Sequence, residues 1–342
     1  MADRKTPIAG KRALAYSPTP GPVIDWPESF GTRFTLFVDT EEEFDWRAQL
    51  SRAARSTSAM AALPGGHARL TGMGAAPVYL IDHPVAASPR AGDALREVLA
   101  AGAAIGTQLH PWVNPPFDEP VTPFNSFTGN LPRELEAAKL DTLTDAIRSE
   151  FGICPRIYRA GRYGIGPNTA HLLARRGYRI DSSMRSRYAY TSEGGPDFFA
   201  IGNDAFWLDR AAGLAELPLS TVFTGATRAG GERLYRHLAK LPRARGLFAR
   251  AGLLSRVALT PEDMPIGDCL EAVRVALGEG VRLLNLSFHS PSLMPGFTPY
   301  VRDESDLREF YRWWDAMFDL LDSRGVRAAS ENDLIGVLDA MA

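Results

Sequence analysis

Asp39-Thr40-Glu41-Glu42-Glu43-Phe44-Asp45 places five carboxylates in seven positions, directly after the apolar run Phe34-Thr35-Leu36-Phe37-Val38. Carboxylates packed that closely repel one another, so the segment needs a cation, an arginine or a bound proton among them. If the chain stays extended beyond the run, Asp39, Glu41 and Glu43 share one side. A solvated acidic loop has the same composition, but the end of a buried strand is where a β/α barrel carries its chemistry.

Four more segments set polar groups at the end of an apolar run. In Ile105-Gly106-Thr107-Gln108-Leu109-His110-Pro111-Trp112, Gln108 and His110 share one side of an extended chain, and Pro111, Pro115 and Pro116 then hold the loop irregular. Tyr158-Arg159-Ala160-Gly161-Arg162-Tyr163-Gly164 and Asp181-Ser182-Ser183 supply charges that orient a partner, although Arg159 with Asp181 also suits a plain ion pair. Leu286-Ser287-Phe288-His289 ends a regular strand pattern in a histidine, which can give or take a proton near neutral pH. Acid, imidazole, guanidinium and imidazole on successive strand ends suit hydrolysis of an amide or ester by an activated water.

The elements that must position these groups alternate along the chain. Strand patterns occupy 34–38, 77–81, 103–105, 156–158, 179–180, 214–219, 283–288 and 325–329. Helical patterns cover 132–151, 167–176 and 303–324, and Ser330 caps a last one. Thr260-Pro261-Glu262-Asp263 reads as an N-cap, an N1 proline and an N3 acid opening a helix that runs to about Gly278. Strand and helix repeated with short links predict a parallel sheet with helices outside, and over this length a closed or nearly closed β/α barrel. No Gly-x-Gly-x-x-Gly follows a strand, and neither a phosphate loop nor a Gly-x-Ser-x-Gly elbow occurs, which removes the usual evidence for nucleotide binding and serine-hydrolase chemistry.

With 342 residues, 45% of them apolar and 23% charged, the chain is globular rather than disordered. A formal charge of −2 leaves no electrostatic footprint for nucleic acid, and two cysteines, Cys154 and Cys269, exclude a disulfide scaffold and a four-thiolate zinc site. Residues 1–31, broken by prolines, read as an N-terminal arm before a barrel over 32–342. The arm lacks the apolar core of a secretory signal and no run reaches the ~20 apolar residues of a membrane span, so a cytoplasmic protein is expected. Between 227 and 257 Glu232 stands alone against Arg228, Arg233, Arg236, Lys240, Arg243, Arg245, Arg250 and Arg256, interleaved with leucines. Such a basic helical insert suits a peripheral contact with an anionic membrane, or a lid that packs its leucines on the barrel.

The order of these motifs resembles the polysaccharide deacetylase family, the carbohydrate esterases that include nodulation-type chitooligosaccharide deacetylases, and within it a bacterial branch associated with surface-polysaccharide gene sets. The match spans roughly Phe34 to Ser292. The resemblance implies a distorted (β/α)7 barrel. Val38-Asp39-Thr40-Glu41 is similar to the family's first motif, which implies Asp39 as general base and Glu41 as a metal ligand. The segment 158–164 is similar to the third, with Arg159 orienting the base and Tyr163 near the oxyanion; Trp112 is a further substrate contact. Asp181-Ser182-Ser183 resembles the fourth motif, which adds Asp181 to the expected catalytic residues, and 286–289 resembles the fifth, whose histidine, here His289, is the general acid. The second motif departs from the family's Gly-x-His-x-x-x-His, because Gln108 and Trp112 occupy the histidine slots and His110 lies between them. Either the loop is rebuilt so that His110 binds a divalent metal, zinc in the first instance, with Glu41 and Gln108, or the protein works without metal. The implied activity is removal of an acetyl or similar acyl group from an amino sugar of a surface glycan or a lipid-linked precursor. A metal-independent, allantoinase-like amidase and a catalytically inactive carbohydrate-binding barrel stay open as alternatives.

Overall fold

In a computed structural model, which describes residues 15–342, the apolar run at 34–38 becomes β1 (Arg33–Thr40), buried along its length after Arg33. A strand covered on both faces is expected to be a near-continuous apolar run. The other strands are β2 (Pro77–Ile81), β3 (Ala104–Leu109), β4 (Ile157–Ala160), β5 (Ile180–Asp181), β6 (Phe206–Asp209), β7 (Leu214–Glu216), β8 (Thr221–Thr224), β9 (Ser255–Ala258), β10 (Leu283–His289) and β11 (Arg327–Ala328). Seven of them run parallel in the order β10-β1-β2-β3-β4-β5-β7; β6 pairs antiparallel at the β7 edge and β11 joins the start of β1. The sheet curls until its edges meet without a ladder. Residues that run on from β7 reach β10, where Asn285 Nδ2 donates to the Leu217 carbonyl at 2.9 Å and the Ser220 amide donates to the Asn285 carbonyl at 3.2 Å. The result is the distorted seven-stranded β/α barrel expected from the sequence.

Helices α1 (Leu63–Gly72), α2 (His83–Ala86), α3 (Pro89–Ala100), α4 (Arg133–Phe151), α5 (Thr169–Ala174), α6 (Gly231–Leu238), α7 (Ala244–Arg250), α8 (Ile266–Gly278), α9 (Glu304–Ser323) and α10 (Glu331–Met341) complete the described chain. α9 begins at Asp303, whose carboxylate accepts the Ser305 and Asp306 amides, and α10 at a Ser330–Asp333 capping box. One expected helix start is corrected. Thr260 to Asp263 form a loop, and α8 begins only after Pro265. Proline disfavours helical backbone in the residue before it, and Asp263 stands at φ 64, so local capping chemistry is overridden.

Period-two alternation sorts the side chains of the barrel. Phe37, Val78, Leu80, Ile157, Ile180, Ala215 and Leu217 point inward and form one core cluster with Ile24, Trp26 and Phe30, and with Leu334, Ile335 and Leu338 of α10. Leu36, Val38, Tyr79, Ile105 and Tyr158 point outward and pack in the larger core shared with the helices. The segment before β1 is tied on by the Ile24 amide, which donates to the Ala205 carbonyl at 2.8 Å; residues 1–14 of the expected arm lie outside the described residues. The basic insert leaves from β8 and returns through β9, which pair as an antiparallel hairpin, with α6 and α7 at its tip.

Candidate active site

Inward positions one step beyond the core carry polar groups. Asp39 follows Phe37 by two on β1, Arg159 follows Ile157 on β4, and both enter a cavity of about 750 Å³ at the barrel mouth, together with Glu41, Gln108, His110, Trp112, Tyr163, Arg185 and His289. The same alternation sends Asp181 the other way. Its neighbour Ile180 is inward, so Asp181 faces outward beside Glu216, its register partner on β7, and does not line the cavity. The ion pair that Arg159 suggested with Asp181 is therefore corrected: Arg159 bonds Asp39.

That pair is fully buried. Arg159 Nη1 donates to Asp39 Oδ1 at 2.6 Å, while Nε donates to the Ser182 carbonyl at 2.8 Å and Nη2 to Ser182 Oγ at 3.1 Å. Three fixed acceptors hold the guanidinium, and its Nη1 holds the carboxylate in turn. Asp39 and His289 are register partners on β1 and β10, and His289 Nε2 lies 3.8 Å from Asp39 Oδ2.

His289 has a partner that the sequence did not reveal. Glu262 Oε2 lies 2.6 Å from His289 Nδ1, and its Oε1 accepts the His289 amide at 3.0 Å and the Ser292 hydroxyl at 2.7 Å. Burial by itself would lower the histidine, but the Glu262, Glu41 and Asp39 carboxylates outweigh it and raise His289 to about 10. The imidazole is thus a cation at neutral pH, a proton donor beside a carboxylate.

Glu41, Gln108 and His110 do come together. Gln108 Nε2 donates to Glu41 Oε2 at 3.1 Å, and His110 Nε2 lies 3.5 Å from the same oxygen. Glu42, also unforeseen, accepts from Trp112 Nε1 at 2.8 Å and lies 2.7 Å from His110 Nδ1, with Trp112 stacked on the imidazole. Burial pushes Glu42 up to about 8 and the adjoining Asp82 well above the usual carboxylate range, so this pair retains a proton at neutral pH. Lys139 fixes the loop that carries Trp112, donating to the carbonyls of Pro111 at 2.9 Å, Asn114 at 2.6 Å and Pro116 at 2.6 Å. Glu43 turns away, accepting the Ala59 amide at 2.5 Å.

Two groupings here suit a cation. The ligand atoms of Glu42, Asp82 and His110 all lie within 4.8 Å of one another. Those carboxylates already accept donors, however: Asp82 caps α2 through the Val85 amide and also accepts the Glu42 amide, each at 2.8 Å. Glu41 Oε1 and Gln108 Oε1, by contrast, are buried with no hydrogen-bond partner. A buried oxygen without a donor is costly, and a divalent ion would supply what is missing. Glu42 on Nδ1 would then act as the outer carboxylate that fixes the tautomer of a metal-binding histidine and frees Nε2. The donor set of Glu41, Gln108 and His110 fits a divalent metal, with one imidazole and two oxygens in place of a zinc-type histidine pair.

Tyr163 lines the cavity on a turn in which Arg162 and Tyr163 both have positive φ, 52° and 60°. Non-glycine residues rarely sit there, and such strain concentrates at functional sites. Burial pushes the Tyr163 phenol up to about 12, so it remains a neutral donor. Arg185, which no strand pattern singled out, also faces the cavity.

No protein-family model matches the chain, and no curated protein matches it in sequence. Among solved structures, a provisionally assigned polysaccharide deacetylase from Mycobacterium smegmatis superposes with a TM-score of 0.50 over 94% of this chain and 95% of its own, at 17% identity. The chain has the polysaccharide deacetylase fold. The chitin deacetylase of Colletotrichum lindemuthianum matches with a TM-score of 0.42 at 12% identity, covering 93% of this chain and 92% of its own. A GH57-type branching enzyme from Pyrococcus horikoshii reaches 0.49 at 9% identity, covering 89% of this chain and 70% of its own.

Proposed function

We propose that the protein is a hydrolase that removes an acetyl or similar acyl group from an amino sugar of a polysaccharide or its precursor. The observation that carries this reading is the facing pair in the barrel mouth: a carboxylate fixed by Arg159 and an imidazolium fixed by Glu262, 3.8 Å apart. A binding barrel has no use for a base and an acid each held by its own buried partner. Asp39 accepts the proton of the attacking water, and Arg159 keeps its carboxylate aimed and ionised for that step. His289 delivers its proton to the departing amine, while Glu262 holds the ring in place. Tyr163 and neighbouring amides face the developing oxyanion, where one good donor contributes roughly 3–4 kcal/mol. A divalent ion on Glu41, Gln108 and His110, zinc in the first instance, would polarise the acyl carbonyl and acidify the water.

The test pairs metal content with acetate release. Protein purified without chelator and loaded with zinc, cobalt or manganese is expected to hold about one equivalent, lost in His110→Ala. The loaded protein should release acetate from acetylated chitooligosaccharides, and Asp39→Asn and His289→Ala should abolish this with the fold intact. Full activity in His289→Ala would overturn the assignment.

We further propose that the insert brings the protein to anionic membrane surfaces, where a lipid-linked glycan would reside. Leu238 and Leu254 pack inward, whereas Leu241 and Leu247 are 60% and 64% exposed at the tip among exposed basic residues. No described helix is long and apolar enough to cross a membrane, so the contact would be peripheral. Sedimentation with vesicles containing anionic lipid at low salt should pull down the wild type and leave Leu241→Glu/Leu247→Glu in solution; no binding by the wild type removes the idea.

A further inference from the structure

Of the three arginines that line the cavity, two are committed: Arg159 to Asp39 and Arg162 to Glu193. Arg185 is not. Among the described residues no carboxylate oxygen lies within 4.0 Å of its guanidinium. The side chain is half-buried and held instead by aromatic faces, its Cζ 4.0 Å from the centroid of the Tyr188 ring and 5.7 Å from that of Tyr163. Tyr190 stacks with both rings at 5.6 and 6.4 Å, which stiffens the platform. Burial keeps the Tyr163 and Tyr190 phenols protonated at neutral pH, so nothing on the platform cancels the positive charge.

Partly desolvating a guanidinium without a counter-charge is unfavourable, and ring quadrupoles recover only part of it. The remainder is recovered when an anion arrives, because a charge-assisted fork to a carboxylate or phosphate is among the strongest polar contacts available. The other cations of the cavity wall are already matched, Arg159 by Asp39, Arg162 by Glu193 and His289 by Glu262, so they offer an incoming anion less than Arg185 does. Arg185, at the tyrosine platform, is thus the cavity arginine left without a counter-charge among the described residues. Arg256 of β9 lies 3.5 Å over the Tyr188 ring as well, so the base of the basic insert adjoins the same platform.

We infer that Arg185 is a subsite for an anionic group on the substrate, so that the glycan is acidic, carrying a carboxylate or a phosphate ester away from the acylated amine. This inference rests on the deacylase reading for the identity of the ligand as a sugar, but its test uses binding alone.

The probes are glucuronic acid, glucose 1-phosphate and neutral methyl glucoside, titrated at low salt into the full chain while the fluorescence of the cavity residues Trp46 and Trp112 is followed. At least one anionic probe is expected to bind about ten- to hundredfold more tightly than the neutral one, the span of one charge-assisted contact. Arg185→Met should abolish that preference, with Arg185→Gln as a second variant should the first fail to fold, and Arg162→Met, whose arginine is already paired, should retain it. A preference for the phosphate ester assigns a phosphoryl group and one for glucuronate a carboxylate. Equal binding of all three probes by the wild type, or a preference that survives in the Arg185 variants, overturns the inference. Acetate release from a neutral acetylated chitooligosaccharide is read separately, so loss of the anion subsite and loss of the deacylase reading give different results.

Discussion

Replacing Glu262 by glutamine removes one negative charge from the acid side of the site and almost no volume. Glu262 lies 2.6 Å from His289 Nδ1 and also anchors the His289 amide and the Ser292 hydroxyl, contacts that a glutamine oxygen can in part retain. The change is therefore chiefly electrostatic. Two unit charges about 4 Å apart interact by about 4 kcal/mol at an effective dielectric of about 20, which is about 3 pKa units. His289, held at about 10 by its carboxylates, is expected to fall to about 7 in Glu262→Gln on this arithmetic. The sign matters for function. An imidazolium acid is lost as pH rises through its pKa, so the wild type keeps its donor to about pH 10, whereas the variant loses it about tenfold per unit above about pH 7. Its stabilising contribution follows the same proton, full below pH 6.5 and gone once pH passes about 10. The assay is an NMR titration of chelator-treated protein labelled at its six histidines, with the His289 resonance identified by its absence from His289→Gln. If His289 titrates at the same pH in Glu262→Gln as in the wild type, Glu262 is not what holds the proton.

Gly161 lies against the proposed metal ligand: a Cβ there would meet His110 Cδ2 at 2.2 Å and the Leu109 carbonyl oxygen at 2.7 Å. Gly161→Ala should therefore displace His110 and weaken zinc or cobalt binding by roughly ten- to hundredfold with the circular dichroism unaltered; calorimetric titration showing wild-type affinity would remove His110 from the ligand set. Asp181 and Glu216 face each other outside the cavity, and burial raises Asp181 to about 7 and Glu216 well above the usual carboxylate range. The folded chain keeps protons there that the unfolded chain releases near its ordinary values of 3.8 and 4.5, so the pair costs stability increasingly as pH rises from there through about 7. Glu216→Gln should accordingly gain on the wild type in melting temperature between pH 5.5 and pH 8, and a difference independent of pH would show that the pair is not protonated in the native state.

Several strands and helices were legible from a long or chemically explicit local signal, whereas α1 and α3, of 10 and 12 residues, escaped although Ser88 caps α3. β1, β2 and β10 are apolar runs ending in polar groups, and α9 and α10 begin at side-chain caps that sit next to them in the chain. The inward course of Asp39 and Arg159 also follows from alternation, once the apolar residue two positions before each is placed in the core. Short elements escaped: β6, β8 and β9 have four residues each, too few for a period to declare itself. Glu262 escaped for another reason, since Thr260 to Asp263 carry real capping chemistry that Pro265 and the packing around His289 override. Sequence alone determined which residue types stand at the ends of which strands, because that depends on period two and on apolar runs. Which groups pair, Glu262 with His289, His110 with Glu42 rather than with Glu41 alone, and Arg185 with no acid among the described residues, was decided by the tertiary structure. Partner choice depends on through-space distances of a few ångströms in a buried, low-dielectric barrel, and no local pattern in a linear chain encodes those distances.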